Sequence, residues 1–306
     1  MKRVVAIVGP TGIGKSRLAI HLAQKFRGEI VSADSRQVYR YMDVGTAKPS
    51  PEEMSSVPHH LIGIIDPDEE FSLANFQEMA YKAIDDIHRR GNLPFLVGGT
   101  GLYVKAVLEG WRIPGVSPDK DFRYNIEQKI NERSVDEIYE ELVAADPDAA
   151  AKIDRRNVRR VIRALEVHAG AGRPFSKLGD KVAPDFLPFI IGLTAERSEL
   201  YRIVDNRVDA MIEQGFVAEV ENLLQKGYRL DLPSMSGIGY RQIGQFLNGE
   251  LPLADAVRKI KTETHRFIRH QYAWFRPADE KIHWFDVANE VYPEIENTLV
   301  EFLNTN

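Results

Sequence analysis

Along its first hundred residues the chain alternates short apolar runs with stretches of helical periodicity. The runs fall at residues 4–8, 30–33, 61–65 and 94–97, and their length predicts strands. Between them, Leu18, Ala19, Leu22, Ala23 and Phe26 share one helix face. Phe76, Met79, Ala80, Ala83, Ile84 and Ile87 share another, at the three- and four-residue spacings of a buried stripe. Strand and helix in alternation predict a parallel α/β sheet flanked by helices.

After Gly110 the texture changes. Residues 132–148 carry seven acids and one arginine, and residues 155–163 carry five arginines and no acid. Apolar runs resume only at 188–193 and 283–287. The pattern predicts a core domain built from residues 1–112 and 186–306, interrupted by a mainly helical insertion over 113–185. The Ala/Gly/Pro-bearing stretch 169–174 is a candidate hinge. From 197 to 276 the periodicity is helical, with Gly215, Gly227 and Gly249 as stops.

The 306 residues, 28% charged and 43% hydrophobic, have the proportions of an ordinary globular protein. Cysteine is absent, which excludes disulfides, zinc–thiolate centres and thiol nucleophiles. No apolar stretch approaches the ~18 residues of a membrane span. The first apolar run breaks at Gly9-Pro10, too early for the ~7–15-residue core of a signal peptide. A cytoplasmic protein with no membrane partner is expected. The net charge of −5 disfavours nucleic acid on average, but charge is clustered, and clusters decide contacts.

Gly9, Pro10, Thr11, Gly12, Ile13, Gly14, Lys15 and Ser16 satisfy the G-x-x-x-x-G-K-[ST] pattern of a nucleotide-binding, ATP-binding loop. The glycines let backbone N–H groups face a polyphosphate, Lys15 supplies a mobile charge, and the Ser16 hydroxyl can ligate Mg²⁺. A strand before the loop and an amphipathic helix after it give the motif its expected context. A nucleotide hydrolase also needs a carboxylate at a second strand end to hold Mg²⁺ near the γ-phosphate. The run 94–97 ends instead in Gly98-Gly99-Thr100, and Asp66, which could serve, is followed directly by Pro67, the mark of a turn. The loop is therefore suited to a diphosphate that need not end a nucleoside triphosphate.

Asp34 lies at the carboxyl end of the second strand candidate, where ligands of open α/β sheets bind. A carboxylate there can accept a proton from an acceptor substrate, although a turn or N-cap aspartate would occupy the same place. Arg155, Arg156, Arg159, Arg160 and Arg163 form one basic cluster, and Arg258, Lys259, Lys261, Arg266, Arg269 and Arg276 another. Val257, Ile260, Thr264, Phe267, Gln271 and Trp274 are the expected buried seam beneath the second. Each cluster is either a set of phosphate contacts or a solvated face, the first paired with the acidic segment 132–148. On these residues a small-metabolite kinase and a nucleotide-switched RNA-binding module remain open.

The chain closely resembles the tRNA dimethylallyltransferase family, the isopentenyl-diphosphate:tRNA isopentenyltransferases, over nearly its whole length. Similar segments are GPTGIGKS at 9–16, SADSRQVYRYMDVGTAKP at 32–49, PHHL at 58–61 and PFLVGGTGLYVKAVLEG at 94–110. RALEV at 163–167, MSGIGYRQ at 235–242 and QYAWFR at 271–276 continue the series. Gly63, Asn157, His265, His270 and Ala273 depart from the family pattern and leave the diphosphate positions intact. The resemblance implies a P-loop NTPase-like sheet and transfer of a dimethylallyl group from dimethylallyl diphosphate. The implied acceptor is the exocyclic N6 amine of the adenosine immediately 3′ of the anticodon of tRNA.

By the same resemblance, Asp34 is the general base, and Thr11 and Arg207 are partners of the donor diphosphate. Asp34, Ser35, Arg36, Gln37, Thr100, Arg123, Arg159, Arg160, Val161, Ile162 and Arg163 are tRNA-contacting positions. The helical insertion would hold the anticodon stem-loop by its phosphates. The target base must leave its stack, and the turn 98–103 carries candidate residues for its pocket. A rival within the same chemistry prenylates free adenine nucleotides. A monomer is the simplest expectation.

Overall fold

The computed structural model describes residues 2–177 and 181–305. Residues 178–180, within the expected insertion, and the two terminal residues of the core ranges lie outside the described residues. Six strands form one parallel sheet: β1 (Arg3–Val8), β2 (Gly28–Ser32), β3 (His59–His60), β4 (Leu93–Val97), β5 (Leu187–Thr194) and β6 (Ile282–Asp286). Their order is β3-β2-β4-β1-β5-β6. Among them run α1 (Lys15–Lys25), α2 (Pro51–Ser56), α3 (Leu73–Arg89) and α4 (Gly101–Leu108). The insertion holds α5 (Lys120–Glu132), α6 (Val135–Ala145), α7 (Pro147–Ala150) and α8 (Val158–Ala171). After β5 come α9 (Arg197–Glu213), α10 (Phe216–Gln225), α11 (Tyr240–Leu247) and α12 (Leu253–Trp274), and α13 (Tyr292–Asn304) follows β6.

Strand β1 explains why the sheet is layered as it is. Five consecutive apolar residues leave no face for water, so helices must cover both sides. Val5 and Ile7 pack with Leu18, Leu22, Phe95 and Ile295 on one side. Val4, Ala6 and Val8 pack with Phe76, Ile84, Leu96 and Val104 on the other. A third cluster joins α10, α11 and α12 to residues 38–42 through Val38, Met42, Phe216, Tyr240 and Ile260.

Two compact units divide the chain: Met1–Leu108 with Pro184–Asn306, and Glu109–Ala183. The second unit has its own core of Ile126, Ile138, Leu142, Val161, Ile162 and Leu165. Its two ends meet each other, with Val182 N–H donating to the Gly110 carbonyl at 2.8 Å and Trp111 bridging Lys181.

Two sequence expectations are corrected. The third strand is His59–His60, not 61–65, because Leu61 and Gly63 turn to φ 63° and 59° and break the extended run. In α12, Phe267 is 40% exposed and Ile268 takes the buried place expected of it. The expected stops hold: α9, α10 and α11 each end two residues before Gly215, Gly227 and Gly249.

Candidate active site

The loop between β1 and α1 sits at the carboxyl end of the central strand. Gly9 has φ 139°, and a Cβ there would lie 2.5 Å from the Leu193 carbonyl oxygen, so only glycine lets the loop pass β5. Gly14 caps α1 in the left-handed conformation, at φ 95°. The first turn of α1 contains no acidic residue, which leaves its positive dipole end open to an anion. Lys15 reaches back across the loop, its Nζ donating to the Pro10 carbonyl at 2.8 Å. Burial pulls its ammonium down to about 7, Arg207 adds to that effect, and Asp34 opposes it. Arg207, projecting from α9, donates to Thr11 Oγ1 at 3.3 Å. Burial also lowers its pKa, against the pull of Asp34.

Asp34 follows β2, which is separated from β1 by β4. The mutual electrostatic influence of Asp34, Lys15 and Arg207 nevertheless places all three in one neighbourhood. Asp34 Oδ1 accepts the Arg36 N–H at 2.8 Å and the Gln37 N–H at 3.4 Å, an Asx turn that fixes the carboxylate. Its other oxygen has no hydrogen bond within the described residues. Ser35 N–H donates to Thr100 Oγ1 at 3.2 Å, tying the Asp34 turn to the turn after β4. Arg36 clasps the Pro233 and Ser234 carbonyls at 2.7 and 3.1 Å. The Gln37 amide accepts from Ser32 Oγ at 3.0 Å and donates to the Thr46 and Ala47 carbonyls. Arg36 and Gln37 therefore hold the backbone of this segment. Tyr103, in the turn considered for the base pocket, is 7% exposed and stacks on Phe76 at 4.0 Å, so packing fixes its ring.

Within the insertion the expected RNA positions separate into two kinds. Arg159 and Arg160 are exposed on α8, whereas Val161 and Ile162 are 1% and 5% exposed. The apolar pair is committed to the insertion's own core and offers RNA no side chain. Arg123 and Arg163 both reach Glu166, at 2.8 and 2.5 Å. Burial alone would raise the Glu166 carboxyl, but these two guanidiniums and the Asp119 N–H hold it at about 2. Arg156 pairs with Asp154, and Arg155 with Asp136 of the acidic segment. Asn157 caps α8 by accepting from the Arg160 N–H.

A carboxylate with a depressed pKa adds stability above its unfolded-state value, and that stability is lost as pH falls toward the folded value. For Glu166 the loss runs from the ordinary glutamate range down through about 2. Glu166→Ala should cost on the order of 3 kcal/mol, less than a fully buried pair, because both guanidiniums can turn to water. Amide exchange across α5 and α8 should speed by up to ~10²-fold while β1 and β4 keep their protection. Unchanged exchange in α5 would show that Glu166 is not the insertion's keystone.

On α12 the basic cluster is also partly committed. Lys261 pairs with Asp209, Arg258 with Asp255, and Glu263 with Arg241 of α11. Arg269 donates to the Tyr201 hydroxyl. A cleft of about 520 Å³ beside α11 and α12 is lined by Arg241, Arg258, Lys259, Glu263 and Arg266. Tyr272 and Phe275 face inward, Tyr272 bonded to Thr194 and Phe275 buried.

Three residues that carry much of this geometry have no functional signature in the sequence, Gln271 showing there only as a member of the buried seam. Glu219 accepts the Asp43, Val44 and Gly45 N–H groups and the Tyr240 hydroxyl, and so anchors the 43–49 turn. Glu166 and Gln271 are the other two, both buried. A polar residue inside an apolar helical stripe was the only available signal for Gln271.

Among the described residues no three His, Asp or Glu side chains gather as a metal cluster. Ser16, exposed in the first turn of α1, presents a hydroxyl beside the loop. Mg²⁺ that keeps its waters and shares phosphate oxygens asks little more of a protein, so the donor set fits that ion.

The IPP transferase family model matches residues 37–278. A tRNA dimethylallyltransferase of Dehalococcoides mccartyi is 51% identical over 300 residues, 98% of this chain and 92% of the relative. One from Thermomicrobium roseum is 49% identical over 94% of this chain and 87% of its own. The crystal structure of the full-length tRNA isopentenylpyrophosphate transferase of Bacillus halodurans superposes with a TM-score of 0.73 at 41% identity, covering 98% and 96% of the two chains. A eukaryotic dimethylallyltransferase acting on tRNA gives 0.81 at 30% identity, over 98% of this chain and 78% of that one. With a family model matched over most of its length and relatives about half identical end to end, the chain belongs to the IPP transferase family.

Proposed function

We propose that the protein transfers a dimethylallyl group from dimethylallyl diphosphate to the N6 amine of the adenosine immediately 3′ of the anticodon of tRNA, releasing diphosphate. The observation that carries this reading is the convergence of two chemistries at one end of the sheet. A phosphate loop with Lys15, Thr11 and Arg207 suits a diphosphate leaving group. Asp34, held by its own turn with one carboxylate oxygen unpaired, suits proton removal from an amine.

The division of labour follows from the chemistry. The allylic carbon gains positive character as its bond to diphosphate breaks. Lys15, Arg207 and the loop N–H groups stabilise the departing charge where it develops. Mg²⁺, bound through Ser16 and the phosphate oxygens, would supply further charge neutralisation to the leaving group. An aromatic amine is a weak nucleophile, and Asp34 takes its proton as the C–N bond forms. Thr100 and Ser35 support the turn that presents the carboxylate. Among the described residues Arg159 and Arg160 form no ion pair and can meet RNA phosphates, as can Lys259 and Arg266 of the α11–α12 cleft.

Labelled dimethylallyl diphosphate with tRNA, with AMP, or with neither tests the reading directly. Label should enter tRNA alone. Label in AMP would favour the free-nucleotide enzyme, and ATP turnover without RNA would favour a kinase.

Each phosphate contact removed should lower the slope of log affinity against log salt by ~0.7–0.9. Arg159→Ala with Arg160→Ala should therefore flatten the tRNA-binding slope by about 1.4–1.8 and leave donor affinity unchanged. Filter binding over a salt series checks it, and a wild-type slope in the double variant would return these arginines to a solvated face.

A further inference from the structure

Gln271 lies in the last turn of α12, 3% exposed, with both ends of its amide engaged. Its Oε1 accepts the Thr11 N–H at 2.9 Å, and its Nε2 donates to the Gly99 carbonyl at 3.1 Å. Thr11 stands in the loop after β1 and Gly99 in the turn after β4, and these two strands are paired neighbours. The first turn presents Thr11 Oγ1 to Arg207. The second presents Thr100, which holds Ser35 beside Asp34. One side chain from a separate helix thus joins the donor half of the site to the acceptor half.

The surroundings leave little freedom. A Cβ on residue 99 would lie 2.2 Å from Gln271 Nε2, so glycine makes room for the amide. The Thr11 N–H is engaged by Gln271, which fixes how Thr11 sits in the loop. An acceptor and a donor at a fixed separation in one planar group are what these two backbone partners require. A carboxylate would answer Thr11 but would set an acceptor against the Gly99 carbonyl. A protonated carboxyl would again serve both.

We propose that Gln271 is a positioning residue for the transfer reaction: its amide sets the spacing between the diphosphate at Thr11 and Arg207 and the adenosine at Asp34 and Thr100. This rests on the function proposed above. Buried and with both ends of its amide held by backbone groups, Gln271 acts through Thr11 and Gly99. Its effect is on the approach of the allylic carbon to the amine, where a displacement of about 1 Å can cost ~10²-fold in rate.

The test uses Gln271→Met, an apolar side chain of similar length, and Gln271→Glu, each confirmed folded by circular dichroism. Single-turnover transfer is measured with donor and tRNA both saturating, alongside tRNA affinity, from about pH 5.5 to about pH 8. The Met variant should transfer ~10–100-fold more slowly, with tRNA affinity within about threefold of wild type. The Glu variant should be as slow at high pH, and its rate relative to wild type should climb as pH falls and the buried carboxyl regains a donor proton. A merely structural role would not produce that recovery. Wild-type rates in the Met variant, or a pH-independent ratio in the Glu variant, would overturn the proposal. If the Met variant does not fold, the Glu ratio alone decides. Failure of the underlying function is separate, since wild-type protein would then transfer no label to tRNA.

Discussion

Replacing Asp34 by asparagine should lower single-turnover transfer by ~10²–10⁴-fold, the usual contribution of a positioned general base. That corresponds to ~3–5 kcal/mol of barrier. Asparagine keeps the shape of the side chain, and its carbonyl oxygen can still accept the Arg36 and Gln37 N–H groups that fix the turn. It cannot take up a proton. Affinity for tRNA should therefore stay within about tenfold of wild type, or ~1.4 kcal/mol. The opposite pattern, collapsed affinity with an intact rate at saturating tRNA, would make Asp34 an anchor for the adenosine. The proton would then go to water or to the departing diphosphate.

Lys15→Ala should be at least as damaging to transfer, ~10³-fold or more, because the leaving group loses its mobile cation in a half-buried site. Filter binding should find tRNA affinity near wild type, since the lysine faces the loop and not the basic helices. The wild-type protein carries its own control. With its pKa pulled down to about 7, Lys15 loses its charge in the free enzyme as pH rises above that value. Donor kcat/KM, which reports free-enzyme ionisations, should decline on that side. Lys15→Arg stays charged throughout and should lose the decline, whatever its absolute rate. A wild-type profile flat to about pH 9 would mean that Lys15 stays protonated in the free enzyme, and the Lys15→Ala loss would then test its role alone.

What the sequence disclosed, and what it withheld, follows from the range of the interactions involved. The loop, the strand before it and the helix after it are contiguous, so glycine spacing and apolar periodicity identify all three. Asp34 was legible because the end of a strand is a local fact with a general consequence for parallel sheets. Thr11 and Arg207, 196 residues apart, came together only through the family resemblance. By spacing Gln271 is one more member of a buried stripe, and its partners, 260 and 172 residues away, lie beyond what spacing can reach. The arginines of α8 show the same limit. Their number announced a basic helix, and Arg163 meets Glu166 one turn along that same helix, but that Arg123 joins the same carboxylate depends on where α5 packs. The strand expected at 61–65 failed for a local reason. Two left-handed residues in five break a run whose composition alone favours extension.

The meeting of the insertion's two ends has an evolutionary consequence. A segment whose first and last residues are tied to each other can be gained, lost or exchanged without changing the path of the chain that hosts it. Here the host continues from the end of α4 to the start of β5, and β5 pairs with β1 through its own register. The phosphate-loop end of the sheet and the unit bearing Arg159 and Arg160 are built on separate cores. Exchange of Glu109–Ala183 for another segment with paired ends would leave the register of β5 on β1, and with it the path of the phosphate loop, unchanged.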